Sequence, residues 1–345
     1  MTSTVLRSLN QALHSMMEED DRVYMVGEDL LDPYGGAFKV TRGLSMAFPD
    51  RVWTTPISEA GFVGVATGMA LRGLRPVVEI MFGDFLTLAC DQLVNHAAKF
   101  SWMYAEKVEV PLVVRAPMGG RRGYGPTHSQ SLEKHFLGVP GLAVVAVDPF
   151  GSPGDLLRQA VADRRPLLFV ENKVMYARRV RAVQAGRMGA FSVRETAGPY
   201  PTLTLSLGEF LGGDATVVAY GGMAELAVEA AEELLIEEER VVEVVIPRQL
   251  HPLDVEPVVE SVGRTGRLVV CEEGSGAAGF GAEVVAAVSG RALEALQAAP
   301  RRVAALPVPI GNAPTLEAAT LPGTGEISSA VRAVIGPARP LYSIG

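Results

Sequence analysis

Short apolar runs alternate with longer segments of helical periodicity along nearly the whole chain, and this alternation constrains the fold more than any other feature. In the helical segments apolar residues recur every three or four positions, as Leu6, Leu9 and Leu13 do near the N-terminus. The alternation favours a mostly parallel sheet with helices on both faces, because a parallel crossover needs a long connection. In the first half we expect strands at 23–26, 75–80, 112–115, 143–147 and 167–171, and helices at about 60–73, 86–105 and 152–163.

A change in composition divides the chain into two parts. Between about 175 and 214 the alternation gives way to Gly, Pro, Thr and Arg, which is typical of an interdomain connection. The alternation then resumes, with apolar runs at 216–220, 241–246 and 267–273 and helical segments at 223–239, after Pro252 and at 280–290. We therefore expect an α/β domain over 1–180, a linker over 181–213 and a smaller α/β domain over 214–345.

Charge and hydropathy exclude several classes of protein. The chain of 345 residues carries 31 basic and 39 acidic residues, and its net charge of −8 argues against nucleic-acid binding. No apolar run approaches the roughly 18 residues that a membrane helix needs. The N-terminal segment lacks the basic-then-apolar order of a signal peptide, and two cysteines suit a reducing compartment. These features predict a cytoplasmic protein that binds neither nucleic acid nor membrane.

One histidine of the five stands in a setting that favours catalysis. His128 lies in the glycine-rich segment GGRRGYGPTHSQ, and loops of this kind commonly present catalytic side chains. An imidazole exchanges protons near neutral pH, so it suits a general acid or a hydrogen-bond donor. His14, His96 and His135 lie in helical patterns and His251 precedes a proline, where structural roles are expected.

Several motifs, in order and at matching spacing, resemble one family. They are TTPISEAGFVGVATGMALRGLRPVVEI at 54–80, FGDFLTLACDQLVNHAAKF at 82–100, RAPMGGRRGYGPTHSQS at 115–131, VGEDLLDPYGGAFKVTRGL at 26–44, VIPRQLHPLD at 245–254 and EEGSGAAGFGAEV at 272–284. Together they resemble the beta subunit of the thiamine diphosphate-dependent decarboxylating component of 2-oxoacid dehydrogenases, a member of the transketolase-like superfamily. The resemblance implies a pyrimidine-binding parallel-sheet domain followed by a smaller transketolase C-terminal-like α/β domain.

The resemblance also assigns roles to residues of the first domain. Glu59 precedes the glycine-rich helix segment and takes the place of the family's acid, which is bonded to the N1′ nitrogen of the cofactor's aminopyrimidine. Without the resemblance, an acid at this position is most simply a partner of the helix dipole. Phe85 corresponds to the aromatic residue that stacks on the same ring. The remaining implied positions are Glu28 and Ile57 in the cofactor pocket, and Met81, Phe82 and His128 on the substrate side.

The chain lacks the motif by which enzymes of this kind hold the diphosphate of thiamine diphosphate. Thiamine diphosphate is held at its diphosphate through Mg²⁺ bound by a GDG-then-Asn motif, and no GDG occurs here. The resemblance therefore implies an alpha subunit that carries this motif in an α₂β₂ assembly. A lipoyl acyltransferase is a further partner that the resemblance implies.

The resemblance also implies a possible potassium site, and the sequence departs from the family pattern there. The matching positions are Leu112, Ala160, Val161 and Asp163, and the next contributor, often Asn, is Arg165 here. A guanidinium group at this place would substitute for the cation.

The leading hypothesis is an enzyme subunit that takes part in oxidative decarboxylation of a 2-oxoacid with acyl transfer to lipoamide. One alternative is half of a split transketolase-like carboligase, which would pass the intermediate to an aldehyde. A second alternative is a non-catalytic interaction subunit that has kept the fold. Pyruvate, branched-chain 2-oxoacids and acetoin all remain open as substrates, because an apolar pocket separates neighbouring acids by only about 1–3 kcal/mol per methylene.

Overall fold

The computed structural model describes residues 3–208, 210 and 212–336. The strands are β1 (Val23–Gly27), β2 (Val52–Thr54), β3 (Arg75–Glu79), β4 (Val113–Met118), β5 (Ala143–Ala146), β6 (Leu167–Asn172), β7 (Arg187–Met188), β8 (Phe191–Glu195), β9 (Leu203–Ser206), β10 (Ala215–Ala219), β11 (Val242–Ile246), β12 (Gln249–His251), β13 (Leu268–Ser275) and β14 (Arg301–Ala305). The helices are α1 (Val5–Glu19), α2 (Leu44–Ala47), α3 (Glu59–Leu71), α4 (Ala98–Met103), α5 (Pro153–Ala162), α6 (Gly222–Glu238), α7 (Glu256–Thr265), α8 (Phe280–Ala292), α9 (Pro314–Thr320) and α10 (Thr324–Ile335).

The first sheet has the order β12-β5-β6-β4-β3-β1-β2. All of its pairings are parallel except that of β12, which runs antiparallel to β5 and comes from the second half of the chain. The five strands predicted in the first half are confirmed to within a few residues, as are the helices that became α3 and α5. The five inner strands, from β5 to β1 in the sheet order, are buried on both faces, which is the pattern of a parallel sheet covered on both sides.

The second sheet has the order β14-β13-β10-β11-β9-β8-β7, and its three last strands are antiparallel. These three strands lie within 181–213, so the prediction of a plain linker there was wrong. The segment contains apolar residues at alternate positions, Phe191 and Val193 in one strand and Leu203 and Leu205 in the next, and all four are buried. Apolar residues at every second position indicate β-strands. The prediction overlooked this alternation because the segment is also rich in turn residues.

The single helix predicted at 86–105 was also wrong. The segment begins with a 3₁₀ turn at Gly83–Thr87, continues as a π-helix at Gln92–Ala97 and ends as α4. Gly83 lies so close to the side chain of Met118 that a Cβ would have no room. The 3₁₀ turn therefore starts directly against the end of β4, and this winding brings Phe82 and Phe85 to the same side. Short 3₁₀ and π segments of this kind are frequent at functional positions.

The parallel strands of the first sheet determine where a site can form. Their carboxyl ends meet at one edge, and in open α/β sheets ligands bind in the crevice outside that edge. The segments that leave this edge contain Glu28 after β1, Met81 and Phe82 after β3, His128 after β4 and Lys173 after β6. Among the described helices none is long and apolar enough to cross a membrane.

Candidate active site

Two buried carboxyl groups lie together at the carboxyl edge of the first sheet. Glu59 is the first residue of α3 and is 4% exposed, and Glu28 directly follows β1 and is 6% exposed. Burial, together with the nearby charges of Glu59 and Asp29, raises the pKa of Glu28 to about 6. The Oε1 atom of Glu28 has no hydrogen-bond partner in the described part of the chain. A buried oxygen of this kind normally has a donor, so the pair suits a ligand that presents polar nitrogen atoms.

Three predicted site residues form one aromatic cluster. The ring of Phe82 lies 4.8 Å from that of His128 and 5.9 Å from that of Phe85, and the Phe85 and His128 rings are 5.2 Å apart. All three pairs meet edge to face, a favourable geometry for aromatic rings. Tyr124, which was not predicted, adds a fourth ring 5.7 Å from Phe82. The structure therefore brings together the residues expected at the cofactor ring and on the substrate side.

The two other predicted pocket residues, Ile57 and Met81, are less buried than the two acids. Ile57 lies two residues before Glu59 and is 86% exposed, so in this chain its side chain does not cover the buried acid. Met81 is half-buried at the end of β3. The roles assigned to these residues, and to Glu28, Glu59, Phe85 and His128, stay predictions at this point.

The loop that carries His128 is held at its base by the first domain. Gly119 begins the loop with a φ of +87° and donates a hydrogen bond of 3.2 Å to the carbonyl of Gln130, which closes it. Asp84 accepts hydrogen bonds from the backbone amide and the side-chain amide of Gln130, at 3.3 and 2.8 Å. The imidazole is half-buried, and its Nδ1 lies 2.9 Å from the hydroxyl of Thr127.

The second domain holds the other end of the same loop, through two buried carboxylates. Glu273, in β13, accepts a hydrogen bond of 2.8 Å from the amide of Gly120. Glu317, in α9, accepts from the amides of Arg121 and Gly123 at 2.7 and 3.1 Å. Sequence reasoning missed both glutamates. The available signal for Glu273 was the pair of adjacent acids, Glu272 and Glu273, that follows the apolar first half of β13. No comparable signal marks Glu317 in the segment that contains it.

Lys173 is a further residue that the sequence reasoning missed. It directly follows β6, is fully buried and donates a hydrogen bond of 2.6 Å from Nζ to the carbonyl of His128. A lysine at the end of a buried parallel strand is itself an unusual feature, because lysine is almost never fully buried without a partner.

A buried ionic cluster lies below the site in the first sheet. Arg115 of β4 donates to Glu79 at 2.7 Å and to both carboxylate oxygens of Glu171 at 2.7 and 2.8 Å. Tyr176 donates to the same Glu171 at 2.5 Å. Opposite charges raise the pKa of Arg115 further despite burial, so the guanidinium is always charged. The cluster joins three neighbouring strands whose ends present the site.

The predicted potassium ligands are engaged by other groups. Arg75 donates from Nη1 to the carbonyl of Val161 at 2.5 Å and to that of Asp163 at 3.3 Å. Arg165 donates to both oxygens of the Asp163 carboxylate, at 3.1 and 2.8 Å, and the hydroxyl of Tyr200 adds a bond of 3.0 Å. Two guanidinium groups thus bind the oxygens of Val161 and Asp163, while the carbonyls of Leu112 and Ala160 accept hydrogen bonds from backbone amides. These residues do not fit a potassium ion.

Both domains match known sequence families. Residues 3–178 match the family described as the transketolase pyrimidine binding domain, and residues 209–327 match the transketolase C-terminal domain. A split-gene transketolase, solved as an inactive beta4 tetramer, has a similar fold with a TM-score of 0.70 at 22% identity, covering 97% of this chain and 99% of that one. The fold and the two matches define a transketolase-like protein.

Similar sequences of named proteins show which family of transketolase-like proteins the chain belongs to. The chain is 36% identical to the beta subunit of acetoin:2,6-dichlorophenolindophenol oxidoreductase from Cupriavidus necator, over 94% of this chain and 95% of the relative. It is 36% identical to the pyruvate dehydrogenase E1 component subunit beta of Rickettsia bellii, over 97% and 99%. The mitochondrial subunit beta-1 of Arabidopsis thaliana is 37% identical, over 96% and 88%. The chain belongs to this family of dehydrogenase E1 beta subunits.

Proposed function

We propose that this chain is the beta subunit of a heteromeric 2-oxoacid dehydrogenase that decarboxylates a 2-oxoacid with thiamine diphosphate and transfers the acyl group to lipoamide. The observation that carries the proposal is the juxtaposition of the buried pair Glu28 and Glu59 with the Phe82, Phe85 and His128 cluster at the carboxyl edge of the sheet. The names of the full-length relatives support the same reaction class.

The two acids fit the pyrimidine end of the cofactor. When bound, thiamine diphosphate supplies a carbanion that adds to the 2-oxo carbon and then serves as an electron sink. In this proposal Glu59 holds a proton against the N1′ nitrogen and so favours the imino form of the aminopyrimidine. Glu28 provides a second carboxyl group that exchanges protons near neutral pH, since its pKa is raised to about 6. The unpartnered Oε1 atom of Glu28 gives the ligand a place to donate.

The aromatic cluster fits the other side of the site. Phe85 provides a face for the aminopyrimidine ring, and Phe82 with Met81 lines the space for the apolar part of the substrate. His128 donates a proton to the sulfur that leaves when the lipoyl disulfide opens. The other sulfur accepts the acyl unit, and the disulfide takes up the two electrons of the oxidation. Proton donation of this kind suits an imidazole. The ring of His128 packs edge to face against Phe82 and Phe85, so it lies between the space for the aminopyrimidine ring and the space for the substrate.

A partner completes the site in this proposal. An alpha subunit would supply the GDG motif, the Mg²⁺ ligands and the diphosphate contacts in an α₂β₂ assembly. The exposed Ile57 beside Glu59 supports this division, because a cofactor bound by this chain alone would leave its pyrimidine end facing solvent. The lipoyl group of an acyltransferase is the acceptor.

Reconstitution tests the proposal. The chain is co-expressed with its alpha-type partner, loaded with thiamine diphosphate and Mg²⁺, and assayed for CO₂ release from pyruvate and from branched-chain 2-oxoacids with an artificial electron acceptor. We expect turnover of at least one acid and acylation of added lipoamide. A complex that binds the cofactor but forms only ketols from added aldehydes would contradict the proposal and favour the carboligase.

A further inference from the structure

The side chain of Lys173 ends inside the wall of the site. No part of the residue is exposed, and its ammonium group lies 5.3 Å from the ring centre of Phe82 and 5.8 Å from that of Tyr124. The hydrogen bond to the carbonyl of His128 is 2.6 Å long. Lys173 therefore touches the backbone of the histidine and two of the aromatic rings that surround it.

The charge of this lysine is only indirectly balanced. Within the described part of the chain no carboxylate lies within 4 Å of the Lys173 ammonium group, which donates its hydrogen bond to the neutral carbonyl of His128. Burial lowers the pKa of Lys173 to about 8, although Asp84, Glu273 and Glu317 act in the opposite direction. Asp84 lies nearby, and its buried Oδ2 atom has no hydrogen-bond partner among the residues that the structure describes. A buried ammonium group without an ion pair is costly, and structural needs alone would be met by an apolar side chain.

The hydrogen bonds that hold the His128 loop to the rest of the protein are grouped at its two ends, and the bond from Lys173 lies between them. Glu273 and Glu317 hold the loop at 120–123, and Asp84 holds it at Gln130. The carbonyl of His128 is held by the lysine, which makes it the anchor at the residue that carries the imidazole. Rotation of that peptide would swing the ring away from Phe82 and Phe85.

We propose that Lys173 is a positioning residue, which fixes the His128 imidazole for acyl transfer by binding the His128 carbonyl and closing the wall formed by Phe82 and Tyr124. This inference rests on the proposed role of His128. Since the imidazole takes part in acyl transfer to lipoamide, we expect loss of the ammonium group to impair this transfer more than it impairs decarboxylation.

The test uses the reconstituted complex and a Lys173→Met variant. Methionine has nearly the same length and suits a buried apolar position, so we expect an unchanged or higher melting temperature. Transfer to lipoamide should fall about 10- to 100-fold, because small misplacements of a reacting group have effects of this size. Decarboxylation with the artificial acceptor should fall by a clearly smaller factor than transfer. Lys134→Met is the matched control, since Lys134 binds Ser275 and Ala277 and makes no contact with His128.

The pH profile supplies a readout that a purely structural role would not change. In the unmodified complex, transfer should decline as the pH rises through about 8, where Lys173 loses its charge, and the variant should lack this decline. The ordinary pKa values of carboxyl, guanidinium and phenol groups lie well outside the range of pH 7–9, and that of imidazole lies near its lower end. The ionisable groups that face the lysine are Asp84, Glu273, Glu317, Arg122, Tyr124 and His128.

A double variant separates failure of this inference from failure of the proposed function. If Lys173 acts through His128, then adding Lys173→Met to His128→Ala should cause no further loss of transfer. Additive losses, equal losses in both half-reactions, or a Lys173→Met variant with normal transfer would each overturn the inference. Normal transfer by His128→Ala alone would instead overturn the catalytic role of the histidine, and the inference with it.

Discussion

Replacing Glu28 by glutamine should stabilise the isolated chain at neutral pH, even though the residue belongs to the candidate site. In the folded chain the pKa of Glu28 is raised from 4.5 to about 6, first by burial and then by the charge of Glu59. A shift of this size corresponds to about 2 kcal/mol, and to about 1 kcal/mol once screening by solvent is allowed for. The carboxyl group is therefore harder to ionise in the folded chain than in the unfolded one, and its ionisation destabilises the fold.

The sign of the pH dependence follows from the raised pKa. Below about pH 4.5 the carboxyl group is protonated in both states, so the variant and the unmodified chain should have equal stability. As the pH rises through the interval to about 6, the unmodified chain loses stability relative to Glu28→Gln, and above it the difference stays constant. Urea unfolding between pH 4.5 and 8 measures this difference, with the exposed Glu18→Gln as the control that should follow the unmodified chain. A difference that does not change with pH would refute the reasoning.

Further variants test the other parts of the structure. Glu59→Gln in the reconstituted complex should lower turnover by about 10²- to 10⁴-fold with an unchanged melting temperature, because glutamine cannot exchange the proton assigned to the acid; near-normal turnover would remove Glu59 from the mechanism. His128→Ala should lower acylation of lipoamide by about 10²-fold and affect dye-coupled decarboxylation less. Arg115→Leu should reduce the free energy of unfolding by about 3–5 kcal/mol, measured by urea, since two carboxylates then lack their buried partner. Exchange of potassium for sodium at equal ionic strength should leave the melting temperature unchanged, and a rise specific to potassium would contradict the placement of Arg75 and Arg165.

Features defined by neighbouring residues were predictable from the sequence. The buried strands of the first sheet stand out as apolar runs, and a parallel order brings their carboxyl ends to one edge. Glu28 directly follows β1, and Glu59 begins the helix that comes after β2, the strand paired with β1, so their approach is a consequence of strand order. The substitution at Arg165 was also visible, and the structure adds Arg75, which approaches from a different strand.

Features that depend on distant residues were not predictable in this way. Lys173, Glu273 and Glu317 act on a loop that lies 45 to 196 positions away in the chain. Local periodicity carries no information on such pairings. Lys173 and Glu273 stand out as charged residues at the end of, or within, buried strands, but their own segments do not show which loop they bind. The strands within 181–213 were missed for a different reason, because composition was given more weight than the alternation of apolar residues.

The connection between the two sheets explains why the second domain reaches the candidate site at all. Strand β12 leaves the second domain and pairs with β5 in the first sheet, and Arg248, just before it, binds the Asp148 carboxylate at 2.7 and 3.2 Å. These contacts fix the second domain against the carboxyl edge of the first sheet, so that Glu273 and Glu317 meet the amides of the loop. Each glutamate then satisfies backbone donors that would otherwise be buried without partners. The position of His128 is consequently a property of the packing between domains, in addition to the sequence of its own loop.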